Sequence, residues 1–171
     1  GNAWVANAGK KGGSVTVITP EFEPTELSPI EDPALQSPKG LALDSEGNAW
    51  VSSFDQSAIV LIRRDGTVDP RGPFRLPGNL GPWGIAVDGA DRVWVGGFSV
   101  ESVFLLCGVD RSACPPGSKT GDILSPAVFG FRNQSFQHVT AVQIAPSGNV
   151  WAANNWSALT PPAGGDGLME L

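Results

Sequence analysis

The sequence predicts an all-β chain built as a β-propeller of four-stranded antiparallel blades, and three observations carry that prediction. A pattern of twelve residues, Gly40-Leu-Ala-Leu-Asp44-Ser-Glu-Gly47-Asn48-Ala-Trp50-Val51, returns as Gly84-Ile-Ala-Val-Asp88-Gly-Ala-Asp91-Arg92-Val-Trp94-Val95 and as Ala141-Val-Gln-Ile-Ala145-Pro-Ser-Gly148-Asn149-Val-Trp151-Ala152. Its second half opens the chain as Gly1-Asn2-Ala3-Trp4-Val5. The markers Trp4, Trp50, Trp94 and Trp151 are 46, 44 and 57 residues apart by their positions, and a period near 40–50 residues with several strands per unit marks a propeller blade. The 22 Gly and 15 Pro suit many short strands rather than long helices.

The strands follow from alternation and turn chemistry. In the second unit, strand one is the small apolar run Gly40–Leu43, as expected close to a crowded central axis. Asp44–Asn48 is a turn, because Asp, Gly and Asn supply positive φ and side-chain bonds to the backbone. Strand two, Ala49–Phe54, carries the Trp. Strand three, Ala58–Ile62, is β-branched and ends at Asp65-Gly66, and a weaker fourth strand at Pro73–Leu76 forms an outer edge where Pro is tolerated. The third unit repeats this with Ile85–Val87, Val93–Gly97, Ser102–Leu106 and an edge strand near Val128–Phe131. The first unit shows Ala3–Ala6 and Ser14–Thr19, then an acidic, Pro-rich link with an edge strand near Glu26–Ile30. The last unit gives Val142–Ala145, Val150–Asn154 and Leu168–Leu171.

The blades are expected at 1–36 (partial), 37–80, 81–136 with a loop insertion at 107–121, and 137–171 (partial). The first lacks strand one and the last stops at strand three, so the two cannot merge into one sheet. Closing a ring takes about four to eight blades. Two complete and two incomplete blades therefore predict a segment of a larger propeller, with further blades from a longer chain or from other copies as partners.

Composition excludes several function classes. No apolar run approaches the roughly 18 residues that span a bilayer as a helix. A net charge of −6, with the eleven basic residues scattered along the chain, argues against a nucleic-acid partner. Cys107 and Cys114 lie in a Pro/Gly-rich loop. A disulfide is favoured there, since a zinc site needs about four ligands and the single His138 is remote in sequence; free thiols are the rival reading. A disulfide in turn suggests an extracellular, cell-surface or periplasmic location.

Candidate site residues divide into repeating and non-repeating ones. Trp4, Trp50, Trp94 and Trp151 recur at one strand position, which reads as a packing wedge between blades rather than a carbohydrate platform. Trp83, before a strand one, and Asn154, Asn155 and Trp156, after a strand two, have no such role and are candidates for ligand binding, a protein or a glycan. His138 is the side chain that titrates nearest neutrality and the candidate acid or base, with Asp55, Asp88 and Asp166 as possible partners. Asp44, Asp88 and Asp91 fit turn chemistry better than a calcium loop. Nucleophile-elbow, zinc-protease, P-loop and dinucleotide motifs do not occur.

The pattern Gly-Leu/Ile-Ala-Leu/Val-Asp followed by Gly-Asn-Ala/Val-Trp-Val resembles the NHL-type repeats of secreted bacterial propellers, with Gly1–Asn7 and Gly13–Ile18 an especially close match. The chain is similar to the streptogramin (virginiamycin B) lyase group, propellers of six or seven blades. That resemblance implies a lactone-opening lyase using a histidine and a magnesium ion near the channel mouth, with Pro-His-Gly before strand one. The corresponding triplets here are Pro38-Lys39-Gly40 and Pro82-Trp83-Gly84, and His138 falls three residues before Ala141, out of register with that motif. The expected function is accordingly a secreted, non-catalytic scaffold for binding or assembly, without a confident cofactor or metal. The alternatives are a lyase with His138 as acid or base and Mg2+ as cofactor, and a carbohydrate or polymer binder using Trp83 and Trp156.

Overall fold

A computed structural model describes residues 1–9, 12–133, 136–155 and 167–171. They form fourteen strands and no helix, in four antiparallel sheets. The first sheet contains β1 (Ala3–Gly9), β2 (Gly12–Ile18) and β3 (Ile30–Glu31), in that order. The second runs β4 (Pro38–Leu43), β5 (Ala49–Ser53), β6 (Ala58–Ile62), β7 (Phe74–Arg75). The third runs β8 (Pro82–Val87), β9 (Val93–Gly97), β10 (Ser102–Leu106), β11 (Phe131–Arg132), and the fourth β12 (Val139–Ile144), β13 (Val150–Asn154), β14 (Gly167–Glu170). Neighbouring strands in each sheet are successive in the chain, the meander of a propeller blade.

The sheets stack face to face, and the alternation of side chains along a strand distributes them between two interfaces. On β5 and β6, Ala49, Val51, Val60 and Ile62 pack against the first sheet, with Val15, Val17 and Leu35. The intervening Trp50, Ile59 and Leu61 pack against the third sheet, with Ile85, Val93, Val95 and Phe104. Val103 on the far side of the third sheet meets Val139, Val142, Val150 and Ala152 of the fourth. Because both faces are covered, β6 is an unbroken apolar run, Ala-Ile-Val-Leu-Ile, buried throughout.

The first three wedge indoles each face the sheet that follows. Trp4 packs at the first interface, Trp50 at the second and Trp94 at the third. The Trp50 Nε1–H donates to Asp44 Oδ2 (3.2 Å) and Trp94 Nε1–H to Asp88 Oδ2 (2.9 Å). In each turn the other carboxylate oxygen accepts backbone N–H groups, from Glu46 and Asn48 at Asp44 and from Ala90 and Arg92 at Asp88. Asp44 and Asp88 thus do the turn chemistry expected of them and also orient the indole six residues on. Asp91 does something else: it accepts from the Ser45 backbone N–H (2.9 Å) and hydroxyl, tying the turns of adjacent blades together.

Trp151 departs from the wedge expectation. Ala145 occupies the position of Asp44 and Asp88, and no described sheet follows the fourth; the indole is 36% exposed, against 0% for Trp50. Burial of the repeated Trp depends on the next blade, which a strand pattern does not report. The short outer strands also moved from expectation, to Ile30–Glu31 from Glu26–Ile30 and to Phe131–Arg132 from Val128–Phe131. Two-residue strands carry too little alternation to be placed by pattern.

Cys107 and Cys114 form a disulfide with Cα atoms 5.8 Å apart. The loop it belongs to leaves the end of β10 and is tied back to it: Cys107 N–H donates to Asp122 O and Gly121 N–H to Cys107 O, both 2.8 Å. Between β6 and β7, buried Asp69 receives Arg71 (Nη2–Oδ2 2.6 Å) and Arg63 (3.2 Å).

Two measurements test these tethers. Asp44→Ala strips the acceptor from a fully buried indole, with an expected loss of about 1–3 kcal/mol in urea unfolding. The hydrogen bond from Arg71, helped by its charge and that of Arg63 and opposed by burial, lowers Asp69 from 3.8 to about 2. A lowered folded-state value means stability is complete above the unfolded value and lost as pH falls toward 2. Asp69→Asn should therefore flatten the stability profile between pH 4 and pH 2 in acid unfolding.

Candidate functional site: the axial mouth

The inner strands β4, β8 and β12 lie side by side, and glycines make that approach possible. A Cβ on Gly40 would collide with the Trp83 carbonyl oxygen, and one on Gly84 would lie 2.7 Å from Ala141 Cα. Between these strands is a cavity of about 220 Å³ lined by Lys39, Gly40, Trp83, Gly84, Thr140 and Ala141 among others. Register sets what stands at its mouth. Pro38 pairs with Ser53, Pro82 with Gly97 and Val139 with Asn154. The start of each strand one thus lies beside the end of its strand two, which leaves Lys39 near Phe54, Trp83 near Phe98 and His138 near Asn155.

The result is an aromatic cluster drawn from three blades. Phe54 meets Trp83 edge-on at 5.7 Å, Trp83 stacks on Phe98 at 5.1 Å, and Phe98 lies 4.4 Å from the His138 ring. The Lys39 ammonium sits 5.0 Å above Trp83 and 5.5 Å above Phe54, a cation held on aromatic faces. Trp83 is fixed from behind: fully buried Ser52 accepts the Gly40 N–H (2.7 Å) and donates to the Trp83 carbonyl (2.8 Å).

His138 precedes β12 with φ 46°, as Ser37 (φ 50°) and Gly81 (φ 56°) precede β4 and β8. A left-handed residue before each strand one is a feature of the blade, and His138 is the fourth blade's version. Its Nδ1 lies 3.0 Å from the Phe98 carbonyl oxygen; since a carbonyl only accepts, Nδ1 carries a hydrogen there. Asn154 Oδ1 accepts the Gln137 N–H (3.0 Å), and the Asn155 N–H donates to the His138 carbonyl (3.3 Å).

The structure therefore brings Trp83, His138, Asn154 and Asn155 to one mouth, while Trp156 and Asp166 lie outside the described residues. Lys39, Phe54 and Phe98 belong to the same mouth and were missed in sequence. Their repeated position next to strand starts and ends was the signal available. Asp88 is removed as a partner for His138, because it follows the far end of β8, roughly 15–20 Å along the strand from the mouth. Among the described residues no three His, Cys, Asp or Glu side chains converge to hold a metal. The magnesium implied by the lyase resemblance finds no ligand set among them.

Ser52→Ala would orphan the Gly40 N–H and the Trp83 carbonyl together. The expected cost is about 1–3 kcal/mol in urea unfolding, accompanied by a change in near-UV circular dichroism from the released Trp83–Phe98 pair.

No protein-family model matches the chain, and no curated protein matches it. Solved structures do. The chain is similar to virginiamycin B lyase from Staphylococcus aureus, with a TM-score of 0.64 and 16% identity, covering 97% of this chain and 54% of that one. It is similar to regucalcin, a calcium-binding protein from Agrobacterium tumefaciens, with a TM-score of 0.69, 15% identity, and coverage of 100% and 57%. A luciferin-regenerating enzyme matches with a TM-score of 0.68 and 14% identity, over 99% of this chain and 57% of that one. The chain thus spans about half the length of the structures it matches, and at such identities the likeness shows the fold: this chain folds as blades of a β-propeller.

Proposed function

We propose that the chain is a non-catalytic part of a secreted propeller, a scaffold whose open blade faces join further blades and whose loops bind. One observation carries the reading. Trp151 stands at the strand position of Trp50, yet it is 36% exposed on the outward face of the fourth sheet, beside Leu168 at 73%. An indole and a leucine turned to solvent at a position that is elsewhere an interface favour an occupant of the same kind, another blade. The Cys107–Cys114 disulfide supports an oxidising compartment.

The mouth cluster does not favour a sugar stacked on Trp83. Trp83 already carries Phe98 and the Lys39 ammonium, contacts that a stacked sugar would have to displace. A lyase-like activity is the second reading, favoured by the place of His138 at the mouth, where its Nδ1–H donates to the Phe98 carbonyl. Loss of a lactone-opening activity in a folded His138→Ala protein would establish that reading over the scaffold.

Sedimentation velocity tests the assembly. The 17.8 kDa chain is expected to associate with other copies, and Trp151→Glu is expected to return it to single chains. A wild-type chain that stays single at high concentration would sink the idea that copies supply the missing face.

A further inference from the structure

We propose that the cleft between the outer strand of the second blade and the disulfide loop of the third binds a multivalent oxyanion, a ligand carrying phosphate, sulfate or carboxylate groups. The cleft is separate from the axial mouth and encloses about 520 Å³. Arg71 and Arg75 line it from the second blade, Arg111 and Lys119 from the loop, with Thr120 and Asp122 beside them. These are four of the eleven basic residues of a chain whose net charge is −6. Four cations share the wall with one carboxylate, the reverse of the acidic excess of the whole chain.

Three of the four have no carboxylate partner among the described residues. Arg75 donates to the Gln56 carbonyl (3.3 Å) and side-chain oxygen (3.5 Å), and Arg111 to the Ser118 carbonyl (3.4 Å). Among the described residues no hydrogen bond or ion pair engages the Lys119 ammonium, while its backbone N–H donates to Asp122 Oδ2 (2.7 Å). Arg71 is different. Asp69 behind it takes two of its nitrogens, and its Nη1 donates to Thr120 Oγ1 (3.0 Å). The Thr120 hydroxyl, mostly buried, thereby keeps its own hydrogen to donate. Like charges that outnumber the carboxylates beside them repel one another, and an oxyanion relieves that repulsion while accepting from planar guanidinium forks.

The site is built before any ligand arrives. The Cys107–Cys114 bond and the paired backbone bonds from Cys107 to Gly121 and Asp122 fix both arms of the loop. Gly121, at φ +85°, lies directly against the Phe74 ring, where no Cβ fits. That contact holds Lys119–Asp122 over β7, the strand that carries Arg75.

Titration calorimetry on the intact chain tests the proposal, with inorganic pyrophosphate and with citrate as probes, at about 10 mM ionic strength where screening is weak. The expected result is saturable binding of one probe molecule per chain, weakened at least tenfold in R111Q/K119Q. Both side chains are exposed, so this variant should fold. R64Q/R132Q, which removes two exposed charges elsewhere, should bind as the wild type does. The tighter probe tells a phosphate-type from a carboxylate-type ligand. Absence of saturable binding for both probes, undiminished binding in R111Q/K119Q, or equal weakening in R64Q/R132Q would overturn the assignment.

Discussion

The structure depends on one contact made repeatedly: the face of a sheet pressed on the face of the next, with an indole of the second strand between them. Sheets of three or four short strands cannot stand alone in water, because each would expose an apolar face on both sides. Stacking removes both faces at once, which is why β5, β6 and β10 are buried end to end. The aspartate that opens each turn then holds the indole N–H, so the polar atom of a large ring carried into the interior keeps a partner. Where the aspartate is replaced by Ala145, the indole is also the one turned to solvent. Turn chemistry and burial vary together along the chain.

That stacking has consequences at both radial limits of the blades. Near the axis, inner strands approach until only glycine fits, and the side chains flanking those glycines are pushed toward the mouth. Lys39, Phe54, Trp83, Phe98 and His138 meet there because register places strand starts beside strand ends, blade after blade. At the rim, outer strands of two residues leave room for long connections. The loop after β10 uses that room to lay Arg111 and Lys119 beside Arg71 and Arg75. The scaffold is uniform and the two limits are not, the usual division of labour between a propeller's sheets and its loops.

The strand pattern was legible because its causes are local. Alternation, glycine turns and the Asp-to-Trp spacing act within about a dozen residues, and β6, β9, β10 and β13 fall where the sequence places them. The outer strands and the exposure of Trp151 were not legible. A two-residue strand has no period to detect, and burial of a ring depends on which sheet comes next.

The mouth was half visible. Trp83 and His138 stood out because they break the repeat, whereas Phe54 and Phe98 were hidden by conforming to it. The rim cleft was invisible, since Arg75 and Arg111 are far apart in a chain whose basic residues look scattered. By itself, the sequence determined an all-β propeller architecture, the bounds of its longer strands and the turns between them, because short-range sterics and hydrogen bonding dictate these. Only the tertiary structure decided which indoles are sealed, what gathers at the axis and which charges share a cleft, because stacking and register bring together side chains from different blades.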